Sequence, residues 1–293
     1  MKVLVYGKYL DNDDLQYVKQ VIELIDAEGI DYKVNEKFAH TINENEQLIS
    51  SDKIMHNHTE VAAFSPDICI SMGGDGTILT ASTIIQELEI PILGINLGRL
   101  GFLASTEKVV IKEAIQKVKN RDYVIEKRTM ISLQSNIPAF VDETFALNDF
   151  TLHKRDTSSM VTIHTYINGE FLNSYWADGI IVSTPTGSTG YNLSCGGPII
   201  YPGSQNFVIT PVAPHNLNVR PLIVSDSSTI ALEIKGRSEN FMCTLDSRYE
   251  TVTSEHKLSI SKCAFHTNLV RLENSSFLQT MRDKLAWGRD SRN

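Results

Sequence analysis

The stretch Cys69-Ile70-Ser71-Met72-Gly73-Gly74-Asp75-Gly76-Thr77-Ile78-Leu79 constrains this chain more than any other. It reads as the end of a buried strand, a Gly-Gly-Asp-Gly-Thr loop, and the start of a helix. Three glycines around one carboxylate let backbone N–H groups approach a polyphosphate with no Cβ in the way. A helix starting near Thr77 points its positive end at the same place. Asp75, held among Gly73, Gly74 and Gly76, could then reach a substrate hydroxyl and take its proton. Asp-Gly after an apolar run is equally a hairpin-turn signal, so the loop alone does not decide between the two.

The surroundings of this loop define its fold. Lys2–Gly7 reads as a strand, followed by a helix carrying Leu15, Val18, Ile22 and Ile25 on one face, with Asp11 or Asp13 placed to cap it. Gly29 ends that helix and Ile30–Val34 continues as a strand. Pro66–Met72 leads into the glycine loop. A helix through Ile78, Leu79, Ser82, Ile85 and Leu88 follows, then a strand over Pro91–Asn96 and a helix over Val109–Lys119. Strand–helix alternation with apolar strands predicts a Rossmann-like parallel sheet. Loops that follow such strands lie where these sheets bind ligands. The polar segment Asn35–Ala62 carries no clear period, and His56 and His58 within it read as an exposed loop, not a metal site.

From Tyr123 onward the pattern is that of strands. Val124–Ser135, Phe140–Ala146, Phe150–His153, Met160–Ile167, Glu170–Tyr175 and Gly179–Ser183 qualify, as do Leu222–Val224, Thr229–Ile234, Phe241–Leu245 and Lys257–Lys262. Asn168-Gly169 marks a two-residue hairpin turn. The expected architecture is an α/β N-terminal domain over residues 1–122 and an all-β, sandwich-like C-terminal domain over 123–274. A helix over about 275–287, capped by Asn274 or Ser275, is expected to dock back on the first domain.

Three further groups in the β-rich part could carry chemistry. Asn148-Asp149 offers short hydrogen-bonding side chains suited to a base, a ribose or an amide, and is just as natural in a turn. Asp178, before the apolar run Ile180-Ile181-Val182, could bind a donor or simply end a strand. The run from Ser183 to Pro198 concentrates hydroxyls, glycines and Tyr191 with scarcely a charge, which suits a loop around a nucleoside or a phosphate. Pro185, Tyr191 and Pro198 make it stiffer than a linker requires.

Composition narrows the function. Among 293 residues, 42% are hydrophobic and 21% charged, and the net charge is -8. That acidity argues against broad nucleic-acid binding, which needs a basic surface. No stretch of about 18 apolar residues is present, so no membrane partner is expected, and the first residues read as a strand, not a signal peptide. Cys69, Cys195, Cys243 and Cys263 are scattered without C-x-x-C spacing, which suggests a reducing cytoplasm with neither disulfides nor zinc.

These motifs, taken in order, resemble the NAD kinases. Gly73–Thr77 alone would also suit lipid kinases and phosphofructokinases. Ile92–Leu103, Asn148-Asp149, Asp178-Gly179 followed by Ser183–Tyr191, Pro211-x-x-Pro214-His215 and Arg220-Pro221 are similar to NAD kinases specifically. The resemblance implies transfer of the γ-phosphoryl of ATP to the 2′-hydroxyl of the adenosine ribose of NAD, giving NADP. It further implies Asp75 as proton acceptor and Gly76 beside NAD. Substrate contacts would come from Asn148, Asp149, Asp178 and Thr189-Gly190-Tyr191-Asn192-Leu193-Ser194, with Ala213 on the adenine side. Mg²⁺ would arrive with the nucleotide, and the chain would assemble as a homodimer or homotetramer. Three positions depart from the family pattern: Trp176 where many bacterial members have arginine, Asp246-Ser247-Arg248 where Asp-Gly-Gln is common, and Thr80 where some have a basic residue. A kinase with a lipid or sugar acceptor and a non-catalytic NAD(P)-binding regulator are the competing readings. The second would place a carboxylate beside phosphates that repel it.

Overall fold

The computed structural model describes residues 1–8, 14–140, 143–155, 160–236, 239–272 and 276–288. The chain forms two compact units, Met1–Lys127 with Thr267–Asn293, and Arg128–His266. Their borders lie a few residues from the expected 122/123 and 274/275.

The first unit is a parallel sheet wrapped by helices. In chain order it contains β1 (Lys2–Gly7), α1 (Leu15–Ala27), β2 (Asp31–Asn35), α2 (Glu36–Asn45), β3 (Ile54–Met55) and α3 (His58–Phe64). These are followed by β4 (Ile68–Met72), α4 (Asp75–Ile85), β5 (Ile92–Asn96), β6 (Thr106–Glu107) and α5 (Ile111–Asn120). Strand order is β3-β2-β1-β4-β5, every pairing parallel. β1, β4 and β5 are apolar and buried almost throughout, as strands covered on both faces must be. Val18, Ile22 and Ile25 of α1 pack with Ile115 and Val118 of α5 in the same core. The strand order reverses between β1 and β4, so the loop after β4 opens beside the switch point where such sheets bind ligands.

The polar segment after Asn35 holds more structure than its composition suggests. Asn35 accepts a hydrogen bond from Phe38 N–H and starts α2, which buries Phe38, Ala39 and Ile42. Asn57 accepts from Glu60 N–H and starts α3. The expectation of an exposed loop is therefore corrected at His58, while His56 is exposed and outside any helix or strand. His58 begins α3 and its ring lies between the Ile84 carbonyl and Glu87, while His56 pairs with Glu36. Asp11 and Asp13 lie outside the described residues, as do Asn274 and Ser275. The last helix, α7, is capped by Ser276, whose hydroxyl accepts from Gln279 N–H.

The second unit is a sandwich of antiparallel layers. It contains β7 (Val124–Ser135, entering from the first unit), β8 (Phe145–Ala146), β9 (Asp149–Lys154), β10 (Val161–Ile167), β11 (Glu170–Ala177) and β12 (Gly179–Ser183). The short helix α6 (Tyr191–Ser194) follows, then β13 (Asn206–Val212), β14 (Leu222–Ser225), β15 (Ile230–Lys235), β16 (Phe241–Leu245) and β17 (Arg248–Val252). β18 (Lys257–Arg271) then leads back into the first unit, where α7 (Phe277–Leu285) ends the described elements. One layer runs β14-β13-β12-β9-β16-β17 and the other includes β11-β10-β15-β18. Phe150, Ile180, Phe207 and Phe241 of the first meet Ile163, Leu232 and Ile260 of the second in one core. Asn168-Gly169 turns β10 into β11 with both residues at positive φ, as a two-residue hairpin of this kind requires.

The strands absent from the sequence reading have physical reasons. β13 is buried without alternation and contains Pro211, both of which obscure a strand signal. β17 is short, polar and mostly exposed. β18 extends well past Lys262 to Arg271, where Leu269 pairs with Ile92 on the outer edge of β5. The strand expected over Phe140–Ala146 is reduced to Phe145–Ala146, and residues 141–142 lie outside the described part.

Replacing the cap of α2 tests this account. Asn35→Ala should cost about 1 kcal/mol, seen as a lower midpoint in thermal or urea unfolding, with the other caps intact.

Candidate active site

In the first unit the site is built on the Asp75 carboxylate. Gly73, with φ +146, makes the turn out of β4, and a Cβ there would lie 2.3 Å from Thr77 Oγ1. Its N–H donates to the Ile95 carbonyl, joining the turn to β5. Gly74 and Gly76 behave differently. Neither has a positive φ, and a Cβ on either would meet nothing within 4 Å. The protein's own packing does not require glycine at these two positions, and the space beside the N-terminus of α4 is open. A helix N-terminus with unblocked N–H groups favours an anion there.

Asp75 is the first residue of α4 and faces the loop after β5. Its Oδ2 accepts from Phe102 N–H at 2.8 Å, and its Oδ1 from Leu103 and Ala104 N–H at 3.0 Å each. The loop is held from its other side as well. Asn96 donates to the Arg99 and Ala104 carbonyls and accepts from Gly98 N–H. Arg271 pairs with Glu126 and donates to Ser105 Oγ and to the Phe102 and Leu103 carbonyls. Lys284 of α7 caps the Leu100 carbonyl, and Phe277 sits 6.1 Å from the Phe102 ring.

In the second unit Asn148, Asp149 and the start of the Ser183–Pro198 loop lie at one end of β12, and Asp178 and Ala213 lie at its other end. Asp149 starts β9 opposite Ser183, the last residue of β12. Thr184 N–H donates to the Asn148 carbonyl and its hydroxyl to the Leu147 carbonyl, locking the two segments together. The loop beyond is tied inward by Asn192, which is fully buried. Asn192 donates to the Ser188 and Pro198 carbonyls and accepts from Thr210 Oγ1 at 2.6 Å. That bonding presents Tyr191 outward, its ring 5.5 Å from His153. Asp178 precedes β12, pairs with Lys154 at 2.6 Å, and donates its N–H to the Val212 carbonyl. Ala213 comes next, at the unusual φ of 45.

The electrostatics of this face are set by two buried carboxyls. Burial, then the nearby Asp246 charge, pushes the Asp149 carboxyl up to about 7. Burial also raises Asp246, but its oxygens accept from Leu147, Asn148 and Asp149 N–H, which favours the ionised form. The proton of the pair therefore resides on Asp149. Burial lowers His153 against the pull of Asp178, and burial raises the Tyr191 hydroxyl and the Cys195 thiol. Among the described residues, no three His, Cys, Asp or Glu side chains are grouped to hold a metal ion.

Residues 3–123 match the ATP-NAD kinase N-terminal domain and residues 147–272 the ATP-NAD kinase C-terminal domain. The chain is 48% identical over 290 residues to an NAD kinase of Cytophaga hutchinsonii, covering 99% of both chains. The chain belongs to the NAD kinase family. An NAD kinase of Flavobacterium psychrophilum is 45% identical over the full length of both, and one of Bacteroides fragilis 38%. The fold is that of NAD kinases too. The crystal structure of yeast NADH kinase complexed with NADH superimposes with a TM-score of 0.86 at 23% identity, over 99% of this chain and 89% of that one. The NAD kinase of Archaeoglobus fulgidus in complex with ATP gives a TM-score of 0.73 at 24% identity, over 98% of each chain.

Within this chain the three departures from the family pattern have local partners. Thr80 bonds back to the Gly76 carbonyl inside α4. Trp176 stacks 4.2 Å from His215 and its carbonyl accepts from His215 N–H. Arg248 donates to the Glu143 and Phe145 carbonyls and to the Glu143 carboxylate. Sequence reasoning brought out Asp75, Asn148, Asp149 and Asp178 but gave Asn96, Asp246 and Arg271 no role of their own. Asn96 and Asp246 at least stood in motifs shared with NAD kinases, whereas Arg271 carried no local signal.

The buried pair makes a stability prediction. A carboxyl that keeps its proton more tightly when folded loses its contribution as pH rises from its ordinary 3.8 to about 7. Asp149→Asn should therefore raise the unfolding temperature most near pH 8 and much less near pH 5, by roughly 2–4 °C per kcal/mol recovered.

Proposed function

We infer that the chain is an ATP-dependent NAD kinase that transfers the γ-phosphoryl of ATP to the 2′-hydroxyl of the adenosine ribose of NAD, forming NADP. The observation that carries this reading is Asp75, fixed by three N–H groups beside glycines whose Cβ positions are open. A carboxylate offers about four acceptor sites. Three are engaged by Phe102, Leu103 and Ala104, so one is left for a substrate hydroxyl. Asp75 in this role is the proton acceptor, oriented before the substrate arrives. Phosphoryl transfer asks a protein chiefly for positioning and charge neutralisation.

The donor phosphates take the open space at Gly74 and Gly76, against the N-terminus of α4, with Gly73 making the turn that leads into it. Mg²⁺ enters as part of the nucleotide substrate and offsets the phosphate charge there. NAD is the ligand of the second unit. Asn148 and Asp149 supply short polar groups, with Asp149 protonated near neutrality and so able to donate a hydrogen bond. Asp178 supplies an acceptor beside Lys154, and the segment Thr189-Gly190-Tyr191-Asn192-Leu193-Ser194 supplies a wall that Tyr191 faces outward from. Ala213, held against the turn at Asp178, lines the adenine side. The same reading includes assembly as a homodimer or homotetramer, on the family likeness. It also includes a cytoplasmic location, which suits four cysteines that form no disulfide, three of them buried. No helix among the described residues is long and apolar enough to cross a membrane.

The deciding assay is NADP⁺ formation from NAD⁺, ATP and Mg²⁺, coupled to an NADP-specific dehydrogenase. The purified chain should form NADP⁺, and Asp75→Asn should lower turnover by roughly 10²–10⁴-fold. Absence of product from a folded native chain, with polyphosphate also offered as donor, would overturn the reading. A second substitution separates chemistry from folding. Gly76→Ala should leave the unfolding temperature unchanged or raised, since alanine is the better helix former by up to about 1 kcal/mol. It should still cut turnover by about 10²-fold, because a methyl group then stands where the substrate must approach.

A further inference from the structure

The turn joining β16 to β17, Asp246-Ser247-Arg248, bonds to the segment that carries Asn148 and Asp149 more extensively than a hairpin turn requires. Asp246 itself sits at φ 54, outside the region most side chains prefer, and its N–H donates to the Asp149 carbonyl at 3.0 Å. That conformation turns its carboxylate toward the chain, where Oδ2 accepts from Leu147 N–H at 2.9 Å and Oδ1 from Asn148 N–H at 2.7 Å and Asp149 N–H at 3.3 Å. Two residues on, Arg248 holds the strand leading to them by the Glu143 and Phe145 carbonyls, its guanidinium 5.4 Å from the Phe145 ring. Phe145 is in turn held edge-on by Phe265 at 5.0 Å. The run from Glu143 to Asp149 is thus held at its amide hydrogens by one residue and at its carbonyls by another.

We propose that Asp246 is a positioning residue for Asn148 and Asp149, fixing their backbone directly and setting the charge state of Asp149 through its own. The proposal rests on the NAD-binding role inferred above for that pair. Asp246 touches neither substrate; it acts through Asn148 and Asp149. Its ionised form is favoured by the three N–H groups and by the Arg248 charge. Burial first, and the charge beside it second, raise Asp149 to about 7, so below that pH it presents a donor where a carboxylate would present only acceptors. The other titratable groups whose charges couple to Asp149 are the Tyr191 hydroxyl and the Cys195 thiol, both raised by burial and so neutral at this pH. Asp246 is therefore the charge that decides the state of Asp149. Affinity for NAD⁺ should weaken as pH climbs through the range in which Asp149 ionises.

The native chain and Asp246→Asn are compared between about pH 5 and about pH 8 by two readouts, thermal unfolding without ligand and the KM for NAD⁺ at saturating ATP and Mg²⁺. In Asp246→Asn the midpoint of both pH dependences should move down by about one unit, because the opposing charge is gone. The KM for NAD⁺ should rise about tenfold with kcat within about twofold, since binding geometry and not the phosphoryl-transfer step is disturbed. Unmoved midpoints, or equal losses in kcat and kcat/KM, would overturn the proposal. Should Asp246→Asn fail to fold, Asp246→Glu carries the test, because it keeps the charge but displaces the oxygens that accept from Leu147, Asn148 and Asp149 N–H. A KM raised about fivefold or more with kcat kept within about twofold supports the proposal, and an unchanged KM overturns it. The unfolding readout needs no turnover. A native chain that forms no NADP⁺ while the unfolding midpoint still shifts would sink the kinase reading and leave Asp246 as the residue that sets Asp149.

Discussion

Three amide hydrogens meeting on the Asp75 carboxylate organise the first unit around its site. The interaction joins the first turn of α4 to the loop after β5, so the two glycine-bearing segments become one surface. A charge-assisted bond of this kind is worth about twice a neutral one, and three on one carboxylate fix its direction as well as its place. Everything that supports the loop from behind serves that direction. Asn96 folds the segment onto itself, Arg271 takes the carbonyls of Phe102 and Leu103, and Lys284 takes that of Leu100. Any substitution at Asp75 therefore acts on the loop after β5, whatever else it changes.

The second unit follows a different logic. Its polar face is assembled from neutral hydroxyls and amides that consume one another's hydrogen-bonding capacity. Thr184, Ser188, Asn192 and Thr210 are all fully buried, and each has a partner. A buried polar network that is fully satisfied holds one geometry, whereas a partly satisfied one is destabilising. That is why a run so rich in Ser, Thr and Gly is rigid instead of acting as a linker. Those bonds leave Tyr191 exposed on an otherwise locked loop.

Much of this architecture was legible in the sequence wherever one strong signal acted alone. The apolar runs at Lys2–Gly7 and Gly179–Ser183, and the Asn168-Gly169 turn, are found where patterning puts them. Legibility failed where signals compete or act at a distance. α2 contains three buried residues in ten, too few to raise a helical period above its polar background, and only its Asn35 cap betrays it. β13 hides behind a proline. In the candidate site, the glycines around Asp75 and the short polar groups at Asn148-Asp149 are conspicuous, because such clusters are uncommon. The residues that hold them are not. Asp246 lies about 100 residues from the amides it accepts, and Arg271 about 170 from the carbonyls it ties, distances over which no local pattern extends.

That separation in sequence has a consequence for how the protein is made. β4, α4 and the loop after β5 leave the ribosome early, but Arg271 is synthesised 168 residues after Leu103, whose carbonyl it holds. At about 5–20 residues per second, the interval is on the order of ten to thirty seconds. Throughout it the outer edge of β5 lacks Leu269 and the Asp75 loop lacks its rear support. A nascent chain in that window already carries the Gly-Gly-Asp-Gly-Thr sequence but not the clamp that orders its partner loop. The ordered form of the Asp75 loop is thus acquired late in translation, with one of the last strands made.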